Sequence, residues 1–482
     1  MNARIQGTGR HLPLDITGLR DDYRRGTRTP LQVIDEVIAA TDADPHHAWI
    51  HRIDAHQLRE RARELQRRGP EGLPLYGIPF AIKDNIDLEG VATTAGCPDY
   101  AYRPQASALI VQRLLDAGAI AVGKTNLDQF ATGLNGTRSP YGACQNAFDR
   151  ERVSGGSSSG SAVAVALGQV SFSLGTDTAG SGRVPAAFNH LVGLKPTCGL
   201  LSTTGVVPAC RSIDTPSVFA LTAQDAQAVF EVARGFDVAN AYSRRAQPSA
   251  ATFGQASAFR LGVPAASQLQ FFQPGYREAF EAACDHARSL GAELVTIDFA
   301  PFLEAGRLLY EGPWVAERYQ AIRPFIDAQP EALFPVTRQI TLGGAKPLAA
   351  DAFSAFYRLR EIQRSTEAAW QMAEVLLLPT VPSHPGIAAM LEEPIARNSE
   401  LGLYTNFMNL LDCSGVAVPF SFLPDGLPFG VTFAAQPHQD LPLLQLAHRW
   451  QQSLTGRAAS LGATPFPFSS NQTPGATPWA FR

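Results

Sequence analysis

Hydrophobic and polar residues follow one another along this chain in blocks that predict helices leading into short buried strands. In residues 29–42 a Thr-Pro pair precedes apolar side chains at helical spacing, which predicts a capped amphipathic helix. Residues 57–69 are mostly charged and predict a solvated helix. In residues 107–130 a helical pattern ends at a glycine and passes into a short apolar run that predicts a buried strand. The same order recurs at residues 274–299, where Gly291 is predicted to end the helix.

Further apolar runs predict strands near both ends of the chain. A strand-like run in residues 73–87 is interrupted by a glycine and a proline and ends at Lys83. Two later segments, AEVLLLPTVP and GVAVPFSFLPDGLPFGVTFAA, also predict strands. Because helices alternate with strands along most of the chain, the pattern predicts an α/β fold whose sheet is covered by helices on both faces.

Composition indicates a globular protein and gives no sign of a nucleic-acid, membrane or metal partner. The chain has 482 residues, of which 45% are hydrophobic and 17% charged, so it can bury a sizeable core. The net charge is −4 and basic residues form no block, which argues against a nucleic-acid partner and gives no signal for a membrane surface. The six cysteines include no C-x-x-C pair, which supports neither a metal site nor a redox dithiol. We see no signal peptide or membrane span and expect a cytoplasmic protein.

Residues 152–188 are rich in serine and glycine and contain two motifs that compete for the chemistry. Gly-Ser-Ser-Ser-Gly matches G-x-S-x-G, the nucleophile elbow of α/β-hydrolases, with Ser158 as nucleophile. That elbow needs a preceding strand, and the charged segment FDRERVSG does not resemble one. It also needs a histidine late in the chain, for which His438 and His448 are available. The spacing of a phosphate-binding P-loop also occurs, but Ser161 stands where that motif requires lysine.

A third interpretation uses both halves of the segment. The first serine-rich loop leads directly into the apolar helix predicted for SAVAVALG, so its N–H groups lie at a helix N-terminus. The predicted strand VSFSLGTD then leads into a second glycine-rich turn, which contains Ser181 and precedes a short helix. Such a turn presents consecutive N–H groups, as an oxyanion hole requires. Folding can bring the two serine loops together.

Several separate motifs in this order resemble the signature of the amidase family. They are GGSSSGS, GTDTAGSGR and GLKPT, with GIPFAIKDNID upstream and GLPFGVTF downstream, and together they span residues 73–435. The resemblance implies the amidase-signature fold, with a large mixed central β-sheet. It also implies a catalytic set of three residues: Lys83, Ser157 preceded by a cis peptide bond, and the nucleophile Ser181. Candidates for the oxyanion hole are the backbone N–H groups of Thr178, Ala179, Gly180 and Ser181.

The chemistry of this set depends on a neutral lysine. A lysine acts as a base only when burial lowers its pKa from about 10.4 to near 7 or 8, and the apolar run before Lys83 suits such burial. Ser157 would relay the proton between Lys83 and Ser181, and no metal or organic cofactor is needed. Without the resemblance, Lys83 beside Asp84 would be read as a surface ion pair. Structural roles are expected for Asp177, Arg183 and Lys195, and His190 is expected to be a core or surface residue. Ser158 and Ser159 are expected to serve either the loop backbone or the proton network.

Four stretches, residues 126–142, 175–197, 308–319 and 401–419, are similar to allophanate hydrolases. The resemblance implies hydrolysis of allophanate, a small urea-like amide that bears a carboxylate, with release of ammonia and eventually carbon dioxide. It implies that Arg318 binds the carboxylate, that Tyr310 donates a hydroxyl and that Gly133 offers backbone contact. Alternatives are an amidase for aryl or aliphatic amides and a non-catalytic scaffold. Without the resemblance, Arg318 would be a surface partner of Glu317, and Tyr310 a core aromatic.

The expected organisation has three parts. They are an N-terminal helical segment (1–60), an amidase signature domain (61–455) and a Pro/Gly-rich tail or linker stub (456–482). Allophanate hydrolases often carry a second, C-terminal domain, which is either missing from this sequence or naturally absent. A small carboxylated amide is the expected partner. The resemblance also allows a homodimer and association with other enzymes of nitrogen metabolism.

Overall fold

A large β-sheet with many helices makes up the fold. The computed structural model describes residues 14–255 and 258–455. Its strands are β1 (Trp49–Arg52), β2 (Pro79–Lys83), β3 (Ile120–Thr125), β4 (Phe172–Asp177), β5 (Val192–Lys195), β6 (Thr215–Ala220), β7 (Phe259–Pro264), β8 (Ala292–Ile297), β9 (Val375–Pro379), β10 (Ser414–Phe422) and β11 (Pro428–Ala435).

The α-helices differ widely in length. They are α1 (Ile16–Arg25), α2 (Pro30–Thr41), α3 (Ala55–Arg68), α4 (Leu109–Asp116), α5 (Ser159–Ala166), α6 (Val184–Phe188), α7 (Ala223–Ala233), α8 (Tyr276–Ser289), α9 (Ala300–Glu311), α10 (Trp314–Ala328), α11 (Pro335–Gly343), α12 (Ala349–Met372), α13 (Ile387–Glu392), α14 (Ala396–Leu401), α15 (Phe407–Leu410) and α16 (Asp440–Thr455). None of these helices is long and apolar enough to cross a membrane.

The strands form one mixed sheet of eleven strands in the order β1-β3-β2-β4-β6-β5-β10-β11-β9-β7-β8. Strand β2 runs parallel to both β3 and β4, and β7 runs parallel to β8 and β9. The strand pairs between these two groups are antiparallel. Helices pack against the sheet, as α5 does on β4 and α16 on β10. The predicted α/β fold with a large mixed sheet is confirmed.

Local sequence signals predicted several elements correctly. Helix α2 begins with the expected cap, because the Thr29 hydroxyl accepts from the Gln32 N–H while the Gln32 side chain accepts from the Thr29 N–H. The predicted helix–glycine–strand units are α4 with β3 and α8 with β8. Gly291 follows α8 with φ 90°, a left-handed conformation that glycine adopts without strain. The late apolar runs form β9 and the antiparallel pair β10–β11.

Other elements had no clear sequence signal. Strands β1, β5, β6 and β7 were not predicted, and neither were the long helices between β8 and β9. Strand β5 has four residues including a glycine, and β6 includes a proline and two hydroxyl side chains, so neither forms the continuous apolar run that identified β9.

The expected three-part organisation stays a prediction. Its boundary at residue 60 falls inside α3, and β1, from the N-terminal part, pairs with β3 in the central sheet. The predicted tail, residues 456–482, lies outside the described residues, as do residues 1–13.

Candidate active site

Two neighbouring strands and the turns that follow them bring the predicted residues to one edge of the sheet. Strands β2 and β4 are parallel, with Ile82 opposite Leu174, so their carboxyl ends lie at the same edge. Lys83 is the last residue of β2, and Ser181 lies in the turn between β4 and α6. Ligand sites of α/β sheets form outside the carboxyl ends of parallel strands, which is where this pair lies.

Ser157 enters from the loop before α5. The peptide bond between Gly156 and Ser157 is cis, as the resemblance implied. The Ser157 carbonyl accepts from the Asp128 N–H at 3.0 Å, and a Cβ placed on Gly156 would lie 2.1 Å from the Asp128 carboxylate. The serine loop is therefore packed tightly against the segment that follows β3, and only glycine fits at position 156.

The three predicted catalytic side chains form one hydrogen-bonded row. The Nζ of Lys83 donates to the Ser157 Oγ at 2.7 Å, and the Ser157 Oγ donates to the Ser181 Oγ at 3.0 Å. Lys83 and Ser157 are fully buried, and Ser181 keeps only 3% of its surface exposed. These distances allow protons to move along the row between the lysine and the outer serine.

The environment of Lys83 favours its neutral form. Burial lowers the pKa of Lys83 to about 7, against the opposing effect of the carboxylates of Asp128, Asp177 and Asp214. The Arg318 charge lowers the pKa of Lys83 further. A large share of the lysine is therefore neutral near physiological pH, and a neutral amine can accept a proton.

Sequence reasoning missed three residues that contact this row or act on it. The Thr176 hydroxyl accepts from Lys83 Nζ at 2.7 Å, the Asp128 carboxylate accepts from the N–H groups of Asn135 and Gly136, and Asp214 accepts from the Thr178 hydroxyl. Burial raises the pKa of Asp214 to about 6. A signal existed for Thr176 and Asp128, since each lies at or just after the carboxyl end of a strand beside β2.

The turn of residues 178–181 presents free backbone donors beside Ser181. Within the described residues, none of its four N–H groups donates a hydrogen bond to another protein group. The turn is held by a buried ion pair in which Arg183 Nε and Nη2 each donate to Asp177 at 2.9 Å. Asp177 also accepts from the Gly182 N–H. Burial works against ionisation, yet the Arg183 guanidinium lowers the pKa of Asp177. These contacts fit the expected structural role of Asp177 and Arg183.

The predicted substrate-binding residues lie together on a different set of elements. Arg318 on α10 is 3% exposed, donates to the Tyr310 hydroxyl at 3.4 Å, and lies 5.3 Å from the centre of the Tyr310 ring. Its Nη1 donates to the Ala131 carbonyl and the Thr132 hydroxyl, both at 3.2 Å, which brings it to the segment that carries Gly133. A Cβ on Gly133 would lie 2.5 Å from the Asp128 carboxylate.

Arg318 is not the surface residue that its sequence context alone suggested. Its neighbour Glu317 instead accepts from the Ser212 N–H and hydroxyl, and Arg318 has no ion pair with a carboxylate in residues 14–255 or 258–455. A buried guanidinium that lacks a carboxylate partner is suited to bind one from a ligand.

The rival motifs are not supported by the geometry around them. Ser158 is preceded by a loop rather than a strand, and its hydroxyl bonds the backbone N–H and carbonyl of Thr176. His190 is buried and stacks on Phe422, with ring centres 4.6 Å apart, and burial lowers its pKa to about 3. The His438 ring bonds Arg244.

The remaining polar residues of the signature segment have structural contacts. The Ser159 hydroxyl donates to the Asn126 carbonyl, and Lys195 donates to the carbonyls of Pro196 and Cys413. In the described part of the chain no three histidine, cysteine or acidic side chains are grouped to hold a metal ion.

Comparison with known proteins agrees with this architecture. The sequence model of the family described as Amidase matches residues 32–444. Urea amidolyase of Saccharomyces cerevisiae is 44% identical over 437 residues, which are 89% of this chain but 24% of that protein, so the chain spans about a quarter of that relative. A glutamyl-tRNA(Gln) amidotransferase subunit from Symbiobacterium thermophilum is 35% identical, with 83% of this chain and 88% of that protein covered.

Among solved structures, Kluyveromyces lactis allophanate hydrolase superimposes with a TM-score of 0.84 and 42% identity, covering 90% of this chain and 72% of that one. The motifs that carry the signature, Lys83 at the end of β2 and the two serine loops around β4, all lie within the matched residues. The chain belongs to the amidase family.

Proposed function

We propose that this protein hydrolyses allophanate by way of an acyl-enzyme formed on Ser181. The observation that carries the proposal is a buried row of lysine and two serines combined with a buried Arg318 that lacks a carboxylate partner among the described residues. Two relatives support the substrate, since one is named urea amidolyase and another allophanate hydrolase.

The reaction begins with proton transfer along the row. Neutral Lys83 has two N–H groups and one lone pair, so it can donate to the Thr176 hydroxyl and accept from Ser157. Ser157 passes its proton to Lys83 and takes the proton of Ser181, whose oxygen attacks the terminal amide carbonyl. The same row later returns a proton to the departing nitrogen, and ammonia leaves.

The charge that develops on the carbonyl oxygen is stabilised by the turn of residues 178–181. Its unused N–H groups are preorganised donors, and one such donor is typically worth about 3 kcal/mol in the transition state. The Asp177–Arg183 ion pair keeps the turn in place. Water then attacks the acyl-enzyme and releases a carboxylated carbamate, which falls apart to two molecules of carbon dioxide and a second ammonia.

Recognition of the substrate rests on its carboxylate. Arg318 supplies the positive charge, Tyr310 lies within hydrogen-bond reach of Arg318, and Gly133 lies next to the loop residues that Arg318 bonds. A neutral amide of similar size would leave the buried guanidinium without a counter-charge, so it would bind less well.

Ammonia release tests the substrate. We expect Arg318→Met to lower kcat/KM for allophanate about 100-fold, because a hydrogen bond to a charged group is worth roughly 1.5–3 kcal/mol. Turnover of acetamide should change far less, because acetamide has no carboxylate to lose and only the effect of the Arg318 charge on the pKa of Lys83 is removed. Arg364→Met, which alters a side chain 81% exposed, is the matched control. If the protein turns over neutral amides alone, and at a rate that Arg318→Met does not change, allophanate is not its substrate. That result would favour an amidase for aryl or aliphatic amides. No turnover of either would favour a scaffold.

The choice of nucleophile is tested in the same assay. We expect Ser181→Ala and Lys83→Ala to abolish ammonia release and Ser158→Ala to retain most of it, because the Ser158 hydroxyl bonds the Thr176 backbone and no catalytic side chain among the described residues. The reverse pattern would identify an elbow-type hydrolase.

A cytoplasmic location and a homodimer stay predictions. Cell fractionation and sedimentation of the purified protein check them, and co-purification checks association with other enzymes of nitrogen metabolism.

A further inference from the structure

Arg318 has a second buried arginine near it. Four arginines are buried in the part of the chain that the structure describes: Arg28, Arg138, Arg183 and Arg318. Arg183 pairs with Asp177, and Arg28 pairs with Glu36. Over the same residues, Arg138 and Arg318 form no ion pair with a carboxylate. They are therefore the two buried arginines whose charges have no carboxylate within ion-pair distance.

These two side chains meet at Thr132. The Arg138 Nη1 donates to the Thr132 carbonyl at 2.8 Å, and the Arg318 Nη1 donates to the Thr132 hydroxyl at 3.2 Å. The Nε atoms of Arg138 and Arg318 are both buried and have no hydrogen-bond partner. Burial lowers the pKa of Arg138 and the nearby Arg318 charge lowers it as well, whereas Tyr310 and the Asp128 carboxylate, which forms no ion pair with Arg138 among the described residues, act in the opposite direction. Two like charges held close together in a protein interior are unfavourable unless an anion joins them.

We propose that Arg138 and Arg318 form a two-arginine site for the anionic end of the substrate, in which Arg138 is a second determinant of selectivity for carboxylated over neutral amides. The inference rests on the proposed function and adds a residue to it. Arg138 Nη2 donates to the Pro394 carbonyl at 2.6 Å, so both Nη groups of Arg138 bond the backbone. Arg138 is thus a positioning residue, which acts through Thr132 and through its charge, while Arg318 faces the ligand.

A purely structural role for Arg138 predicts something different. In that case Arg138 only holds the segment after β3 against the chain around Pro394. Its loss would then weaken the binding of every ligand by the same factor. Asn398 on α14 makes a similar tie without charge, because its Oδ1 accepts from the Leu134 N–H and the Asn135 amide, both at 2.7 Å. Asn398→Ala is therefore the matched control for loosening this loop without removing a charge.

The test compares a charged ligand with a neutral one of the same shape. Malonamate and malonamide are titrated by calorimetry into Ser181→Ala protein, which cannot turn them over. We expect Arg138→Gln, which keeps amide donors for the Thr132 carbonyl, to weaken malonamate binding at least tenfold and malonamide binding less than twofold. Arg138→Lys should recover most of the loss, and Asn398→Ala should weaken both ligands by equal factors. Arg138→Met serves as a second charge-removing variant.

An unchanged ratio of malonamate to malonamide affinity in Arg138→Gln and Arg138→Met would overturn the two-arginine site. The ratio is independent of catalysis, so the site can be separated from the reaction. If the unsubstituted enzyme releases no ammonia from allophanate while the ratio still collapses in Arg138→Gln, the proposed reaction fails and the site stands.

Discussion

At the scale of single residues, the site depends on how opposing electrostatic effects balance at Lys83. Complete burial favours the neutral amine, whereas the carboxylates of Asp128, Asp177 and Asp214 favour the ammonium form. The result is a lysine with a pKa of about 7, which is close to the value that general-base catalysis near neutral pH requires.

The pH profile follows from this balance. Because the base must be neutral, kcat/KM should rise as the pH increases through about 7. Asp214→Asn removes a negative charge that favours the ammonium form, so the rising limb should move to lower pH, while loss of the Thr178 contact lowers the maximum rate. Asp285→Asn, at a side chain 76% exposed, is the control. A rising limb in the ordinary carboxylate range that Asp214→Asn leaves in place would contradict lysine as the base.

The sequence motifs contained the predicted residues of this row, but they did not show which other residues contact them. Lys83, Ser157 and Ser181 lie in recognisable motifs. Thr176 lies within such a motif too, yet its contact with Lys83 exists only because β2 and β4 are neighbours. Asp214 is far from the row in sequence and reaches it through Thr178. Long-range side-chain contacts of this kind have no local pattern, so composition and periodicity could not predict them.

At the scale of elements, the position of α5 determines where Ser157 lies. The helix is buried at all eight of its residues, so no polar face identifies its orientation from the sequence. Its first turn lies against backbone: the Gly160 N–H donates to the Asn126 carbonyl, and a Cβ on Gly160 would lie 2.0 Å from the Ala48 carbonyl oxygen. The serine loop is therefore placed by a close backbone approach that requires glycine.

Gly160→Ala tests that close approach. The added methyl group should destabilise the protein by roughly 1–3 kcal/mol through overpacking, and it should lower activity because the Ser157 loop shifts. Gly343→Ala in α11, where a Cβ would meet nothing within 4 Å, should be neutral or stabilising by up to about 1 kcal/mol. Urea unfolding measures the stability of both variants. Equal stability of the two variants would show that the helix moves freely to accept the methyl group.

At the scale of the whole molecule, distant parts of the chain share one core. Ile16 in α1 is buried, and its N–H donates to the Asp225 carboxylate in α7 at 3.2 Å. In α16, Trp450 is fully buried, and its Nε1 donates to the Pro419 carbonyl at 2.9 Å. The described ends of the chain therefore close over the central sheet, and we expect unfolding to expose the site and the core together.

Trp450→Ala tests whether the site and the core unfold together. The cavity it leaves should cost roughly 3–5 kcal/mol, and heating should abolish activity and secondary structure in one coincident transition at a lower temperature. Met372→Ala, at a side chain 44% exposed, should leave the transition almost unchanged. Loss of activity well before loss of secondary structure would indicate that the site unfolds separately.

The sequence by itself determined the α/β class, the helix–glycine–strand units and the amidase family, because capping residues, glycine stops and contiguous motifs are local signals. It also pointed to Lys83 and the two serines. The order of the eleven strands was decided only by the tertiary structure. So was the convergence of Arg138 and Arg318 on Thr132. Both depend on contacts between residues far apart in the chain, where packing and the pairing of buried polar groups select the partner and no local pattern records the choice.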